Sequence, residues 1–166
     1  MKKSFLFLSC ILFAFSALAQ TKTATSVVNV KIPEALELAV TTGSTIDFDF
    51  SSDLSLLSTG IEKLNAVILT YKTNKPWFLN ISASSANFTG GDGVTALPSS
   101  VIQFKNNAGG TYVNLTTTSV SLSGTTGSKN PKGESTVGVD YKLTPGHGYP
   151  AAADYSIGIT YTISTI

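Results

Sequence analysis

A two-residue alternation of apolar and polar side chains constrains the fold of this chain more than any other feature. It is clearest near the C-terminus, where Tyr155, Ile157, Ile159, Tyr161 and Ile163 alternate with Gly158 and small polar residues. Successive side chains of a strand point to opposite faces of a sheet, whereas a helix repeats every 3.6 residues. The pattern therefore predicts antiparallel strands with one buried face and one solvated face.

The same period recurs at 28–32, 46–50, 77–83 and 137–143, and we predict a strand at each of these places. The stretch 64–73 is apolar enough for the centre of a strand to be buried on both faces. Residues 54–57 predict a bridging loop with a single helical turn. Gly, Pro and Asn clusters separate these segments and mark turns. We expect an all-β chain of about eight to ten strands, folded as a single antiparallel β-sandwich, immunoglobulin-like or jelly-roll-like.

The first nineteen residues have the layout of a secretory signal peptide. Lys2 and Lys3 precede an apolar run at 5–15, and Ala17-Leu18-Ala19 supplies a small-x-small cleavage site. The run is shorter than the roughly 20 residues of a membrane-spanning helix. Cys10 raises the alternative of a lipid anchor, which the residues before it fit poorly.

The domain organisation follows from this signal. We predict a signal peptide at 1–19 and a single secreted domain at 20–166, with no transmembrane segment in the mature chain. The protein is expected outside the cytoplasmic membrane, in the periplasm, on the cell surface or in the medium.

The composition of the predicted mature chain removes several function classes. Cleavage after Ala19 leaves nine Lys against ten Asp plus Glu, and no Cys, Met or Arg. A chain without cysteine has no disulfide framework, thiolate metal site or catalytic thiol. The even charge balance offers no basic patch for nucleic acid.

Few residues have the arrangement that catalysis or metal binding requires. The single histidine, His147, lies in a Gly/Pro-rich loop, and no G-x-S-x-G elbow accompanies it. Asp47 and Asp49 share one face of a predicted strand, on the side expected to face water. Asp92 and the pair 106–107 are oxygen-rich, without the spacing of a known calcium loop. We therefore predict no enzyme, no catalytic residue, no cofactor and no metal site.

Two motifs resemble those of the WxL domain, a bacterial cell-surface domain. Trp77-Phe78-Leu79 spells W-x-L, and the last strand carries Tyr155 followed by Thr160, Tyr161 and Ile163, where the family has Tyr and then T-W-x-L. Tyr161 and Ile163 replace the second Trp and Leu. The resemblance, shared in style with fimbrial-type sandwich subunits, implies non-covalent attachment to the cell wall. Independently of it, alternation predicts that Trp77 faces the core beside Leu79.

These observations lead to one functional expectation with two alternatives. We expect a non-enzymatic surface or structural module with WxL-like cell-surface association or adhesion. The first alternative is a pilus-type subunit in which the stretch 21–31 is added as a strand to a neighbour. The second is a carbohydrate-binding module in which Tyr149, Tyr112 or Phe78 faces a sugar. The expected partners are a cell-wall or surface polysaccharide or neighbouring subunits, and the oligomeric state stays open.

Overall fold

The structure, a computed structural model, describes residues 22–125 and 128–165. The predicted signal peptide at 1–19 lies outside the described residues. Residues 22–32 belong to a unit separate from Pro33–Ile166. They are exposed and form no strand. The strand predicted at 28–32 is therefore wrong.

The described residues of the unit Pro33–Ile166 form eight strands, which agrees with the predicted number of about eight to ten. Their bounds are β1 Leu36–Thr42, β2 Ile61–Thr73, β3 Trp77–Ala83, β4 Ile102–Asn106, β5 Val113–Asn114, β6 Val120–Ser123, β7 Gly133–Leu143 and β8 Ile159–Thr165. One helical turn, α1 at Leu56–Thr59, and a 3-10 turn at Ser99–Val101 complete the elements. No helix among the described residues has the length and hydropathy needed to cross a bilayer.

The strands form two antiparallel sheets that pack as a sandwich. The first sheet has the order β1-β2-β7-β4-β5 and the second has the order β6-β3-β8. Alternate side chains of β3 and β7 face the core, which confirms the predicted inward positions: Trp77, Leu79, Ile81, Ala83, Val137, Val139, Tyr141 and Leu143. Trp77 is 2% exposed, so its predicted core position is also confirmed. The all-β sandwich predicted from the alternation is the observed fold.

Three predicted elements differ in detail. Residues 46–50 keep alternating burial, with Ile46, Phe48 and Phe50 packed on the core, but their backbone pairs with no strand among the described residues. The last strand begins at Ile159 instead of 155, since before it only Ser156 makes a bridge, to Thr89. In β2 the buried positions follow one face, while the other face is exposed or half-buried.

A bulge divides β2 where it pairs with β7. The pairing Lys63↔Tyr141 is followed by Val67↔Val139, so β2 gains two residues relative to its partner. Asn65 adopts a positive φ of 49° inside the bulge. Its N–H donates to Asp140 Oδ1 at 2.7 Å, and the Asp140 carboxylate is paired with Lys105 Nζ at 3.5 Å. The buried carboxylate thus satisfies a backbone donor that the interrupted ladder leaves without a carbonyl.

Candidate functional site

An open groove lies between two stretches of the chain beside β8. We name it the β8 groove and define it by its walls, residues 43–48 and 155–161. Its volume is about 490 Å³. Four core side chains form its floor: Val67, Ile102, Tyr141 and Leu143. The sandwich therefore leaves a large recess with a mainly apolar floor, accessible from outside.

Gly43 sets the path of the first wall. Its φ is +77°, and a Cβ at this position would lie 1.8 Å from the carbonyl oxygen of Ala66. Only glycine fits this combination of left-handed backbone and close approach. The chain turns here at the end of β1, and the following residues place Ile46 and Phe48 against the core without entering a ladder.

One edge of the second wall carries no strand partner. On the other edge, β8 pairs along its whole length with β3. Ser156 exchanges both of its backbone bonds with Thr89, and the carbonyl of Gly158 accepts from Ser84 N. Because alternate residues of an antiparallel strand direct their N–H and C=O groups to opposite edges, residues 157 and 159 direct theirs away from β3. No described residue pairs with them there, so the edge is open for strand addition.

A tyrosine pair joins the two sheets at the floor of the β8 groove. The hydroxyls of Tyr141 on β7 and Tyr161 on β8 lie 2.6 Å apart. Burial raises the pKa of Tyr161 to about 12, although the hydrogen bond with Tyr141 partly lowers it. The pKa of Tyr141 is also raised, by burial first and then by Tyr161. Both groups are therefore neutral at physiological pH, and the groove carries a polar but uncharged point among apolar side chains.

The N-terminal stretch 22–32 presents four large apolar side chains to solvent. Val27, Val28, Val30 and Ile32 are 83%, 81%, 73% and 78% exposed. In an extended backbone Val28, Val30 and Ile32 share one face, and Val27 lies on the other. Three exposed β-branched residues on one face are an unusual arrangement in a protein surface unless a partner covers them.

The structure places the two WxL-like motifs on neighbouring strands. Leu79 of β3 is directly opposite Ile163 of β8, and Trp77 is opposite Thr165. Leu79 is fully buried, Tyr161 and Ile163 are half-buried, and Thr160 is exposed. Tyr155 precedes β8 and donates its hydroxyl hydrogen bond to the carbonyl of Pro150 at 3.0 Å. Five of the six motif positions thus lie on the paired strands β3 and β8, and Tyr155 lies just before them.

Trp77 serves packing at this position. Its indole N–H donates to the Pro131 carbonyl at 2.9 Å, and its ring lies 4.1 Å from that of Tyr71 between centroids. A smaller cavity of about 220 Å³ borders it. The amides at its rim are used inside the protein, since Asn106 donates to the Leu122 carbonyl and Asn130 to Ser123 Oγ. This cavity therefore offers few free hydrogen-bonding groups.

The tyrosines proposed to face a sugar are partly covered. Tyr112 is half-buried, donates its hydroxyl to Glu62, and has Lys105 Nζ 4.5 Å from its ring centroid. Tyr149 is also half-buried. Sugar rings stack on an open aromatic face, and the cation over Tyr112 occupies one of its two faces.

The other singled-out residues lie at the surface. His147 Nε2 lies 2.9 Å from Ser58 Oγ, and none of the described carboxylates bonds the imidazole. Asp47 and Asp49 are exposed, as their predicted position implies. The carboxylate of Asp92 accepts two backbone N–H bonds within its own loop. Within 22–125 and 128–165, no three His, Cys, Asp or Glu residues are grouped to hold a metal ion.

Sequence reasoning did not identify the β8 groove. Alternation placed Tyr161 of β8 and Tyr141 of β7 on inward faces, which is the one signal that two hydroxyls would meet in the core. Which strand edges stay open depends on strand order, and periodicity carries no information about order.

Comparison with known proteins gives a remote likeness of fold. No protein-family model matches the chain, and no curated protein matches it. Among solved structures, a chain from a chaperone–usher pilus aligns over 90% of this chain and 97% of its own length, with a TM-score of 0.42 and 12% identity. The WxL resemblance rests on its six motif positions alone, and a structural likeness at this level assigns no function.

Proposed function

We propose that the chain is a non-enzymatic subunit of a surface assembly, in which residues 22–32 of one copy enter the β8 groove of the next as an added strand. The observation that carries the proposal is the apolar groove beside the unpaired edge of β8, in a chain that also holds an exposed, alternating apolar segment. Strand addition uses main-chain hydrogen bonds for affinity and pockets for alternate side chains for specificity.

The topology supports this proposal. An immunoglobulin-type sandwich pairs strands A-B-E-D in one sheet and C-F-G in the other. Here β1-β2-β7-β4 matches the first set, and β3-β8 matches C-F. No described strand occupies the position of G beside β8, which is where the added segment would lie.

The charges of the segment 22–32 and of the β8 groove also favour binding of this segment in the groove. The stretch 22–32 contains Lys22 and Lys31 and no acidic residue. Asp47 lies at the groove wall. Attraction between the lysines of this segment and the Asp47 carboxylate assists encounter and orientation more than final affinity.

The remaining expectations have less support than strand addition. The surface location follows from the predicted signal peptide, and the absence of enzymatic activity follows from the lack of a recognisable catalytic motif. Cell-wall attachment of the WxL type stays a prediction from six residues. Carbohydrate binding is not favoured, because Tyr112 has one face covered and Tyr149 is half-buried.

Deleting residues 21–31 tests the proposal. We expect the predicted mature chain, residues 20–166, to form multimers in sedimentation velocity, and the deletion variant to remain a monomer. Its melting temperature should stay close to that of the parent diluted until it is unassembled, because the deleted residues that the structure describes are exposed. A variant with the same segment in scrambled order keeps length and charge and should also be monomeric.

Two results would overturn the proposal. The first is multimers that persist after deletion, or a parent chain that is monomeric at every concentration. The second is a large fall in melting temperature on deletion relative to the unassembled parent, which would make the segment a strand of its own sandwich.

A further inference from the structure

One of the two hydroxyl protons of the tyrosine pair in the β8 groove has no hydrogen-bond acceptor among the described residues. Two tyrosine hydroxyls carry two protons, and their mutual bond at 2.6 Å uses one. No other described group accepts from either hydroxyl. A buried donor without an acceptor destabilises the buried state, so an occupant that excludes water from the groove must supply an acceptor.

The relative burial of the two tyrosines assigns the free proton to Tyr161. Tyr141 is fully buried, whereas Tyr161 is half-buried and lies nearer to solvent. A bond donated by Tyr141 to Tyr161 leaves the Tyr161 O–H free to point into the groove.

The segment that we place in the groove carries one suitable side chain. This step rests on the proposed function. Alternation puts Ser26 on the same face as Val28, Val30 and Ile32. Lys22 shares that face but only donates hydrogen bonds. The Ser26 hydroxyl is therefore the one side-chain acceptor on that face within 22–32.

We infer that Ser26 of one copy accepts a hydrogen bond from Tyr161 of the next, and that this contact sets the register of the added strand. With the strand antiparallel to β8, Val28 then lies opposite Ile159, Val30 opposite 157 and Ile32 opposite 155. All of these partners line the groove. A parallel strand would place the two valines opposite 163 and 165, beyond the groove walls. The antiparallel register therefore fits both the polar and the apolar side chains.

Paired substitutions in the predicted mature chain test this contact. Ser26→Ala should weaken assembly about fivefold to tenfold, the usual effect of losing a buried hydrogen bond. Thr25→Ala is the matched control, because it removes a neighbouring hydroxyl from the opposite face, and it should change assembly by less than twofold. Both are measured as assembly midpoints in a dilution series.

The same substitutions are then repeated in a groove without hydroxyls. Tyr141→Phe combined with Tyr161→Phe removes both polar partners at nearly constant shape, a change that is close to neutral for folding. In this background Ser26→Ala should no longer weaken assembly. Should the double variant fail to fold, Tyr161→Phe alone provides the second background, in which the effect of Ser26→Ala should shrink.

The outcomes separate this inference from the proposed function. If Ser26→Ala matches Thr25→Ala while Val28→Ala with Val30→Ala still weakens assembly, the tyrosine contact is wrong and strand addition stands. If none of these variants changes assembly, both are wrong. An equal effect of Ser26→Ala in the native and hydroxyl-free grooves would also overturn the inference.

Discussion

Truncating the exposed valines of the N-terminal segment should weaken assembly in a face-dependent way. Val28 and Val30 are 81% and 73% exposed in the free chain and become buried in the groove of a neighbour under the proposed function. Each Val→Ala change removes two methyl equivalents, worth about 0.8 kcal/mol each when buried. The double variant Val28→Ala with Val30→Ala therefore loses about 3 kcal/mol of association energy, or roughly a hundredfold in assembly constant.

Val27→Ala is the control for this prediction. Val27 is 83% exposed, is the same residue type and loses the same strand propensity, but it lies on the opposite face. We expect it to shift the assembly midpoint, measured by sedimentation velocity across a dilution series, by about twofold or less. The melting temperature of the unassembled chain should be unchanged in both variants, because surface substitutions rarely matter for folding. Equal weakening by both variants would refute burial of one specific face.

Three further predictions concern the sandwich itself and are checked by thermal or alkaline unfolding. Gly43→Ala should destabilise the fold by about 2–4 kcal/mol, because its Cβ would collide with the carbonyl oxygen of Ala66. Gly93→Ala, with a similar φ of +70° and no atom within 4 Å, should cost only about 1 kcal/mol. Equal losses of stability would show that the collision at Gly43 does not matter. Asp140→Ala should cost about 1–2 kcal/mol, since it leaves the part-buried Asn65 N–H without its acceptor, and a loss below about 0.5 kcal/mol would contradict this role. Because burial raises the pKa of Tyr161 from 10.0 to about 12, the contribution of this group to stability should be constant below pH 10 and decrease as the pH rises towards 12. Phenolate absorbance and far-UV circular dichroism should then change together; ionisation of all tyrosines near pH 10 in a folded chain would refute it.

The alternation in the sequence predicts the sandwich but not its pairing. The faces of β3 and β7 follow directly from the positions of Trp77 and Tyr141, because burial on one side of a sheet imposes the two-residue period. The same period at 28–32 and 46–50 predicts strands that do not form. An alternating segment becomes a strand only when an edge is available beside it, and edge availability is a property of the whole topology.

The candidate site depends on this missing information. The apolar face of 22–32 and the hydroxyl of Tyr161 are visible in the sequence. That β8 is an edge strand, and that its open side borders a recess in the core, depends on which strands the first sheet contains and in what order. The sequence therefore identifies the segment and the hydroxyl that meet in the proposed assembly. The fold identifies the groove beside the open edge of β8 as the place where they meet.

The bulge in β2 limits how the length of this strand can change. Its pairing with β7 shifts by two residues between Lys63 and Val67, so the inward and outward positions stay in phase on both sides. A deletion of one residue here would invert every side chain in the first part of β2, whereas a deletion of two would restore a regular ladder. Insertions and deletions at this bulge should therefore be tolerated in pairs, which makes it a natural position for grafting an even-numbered loop into the domain.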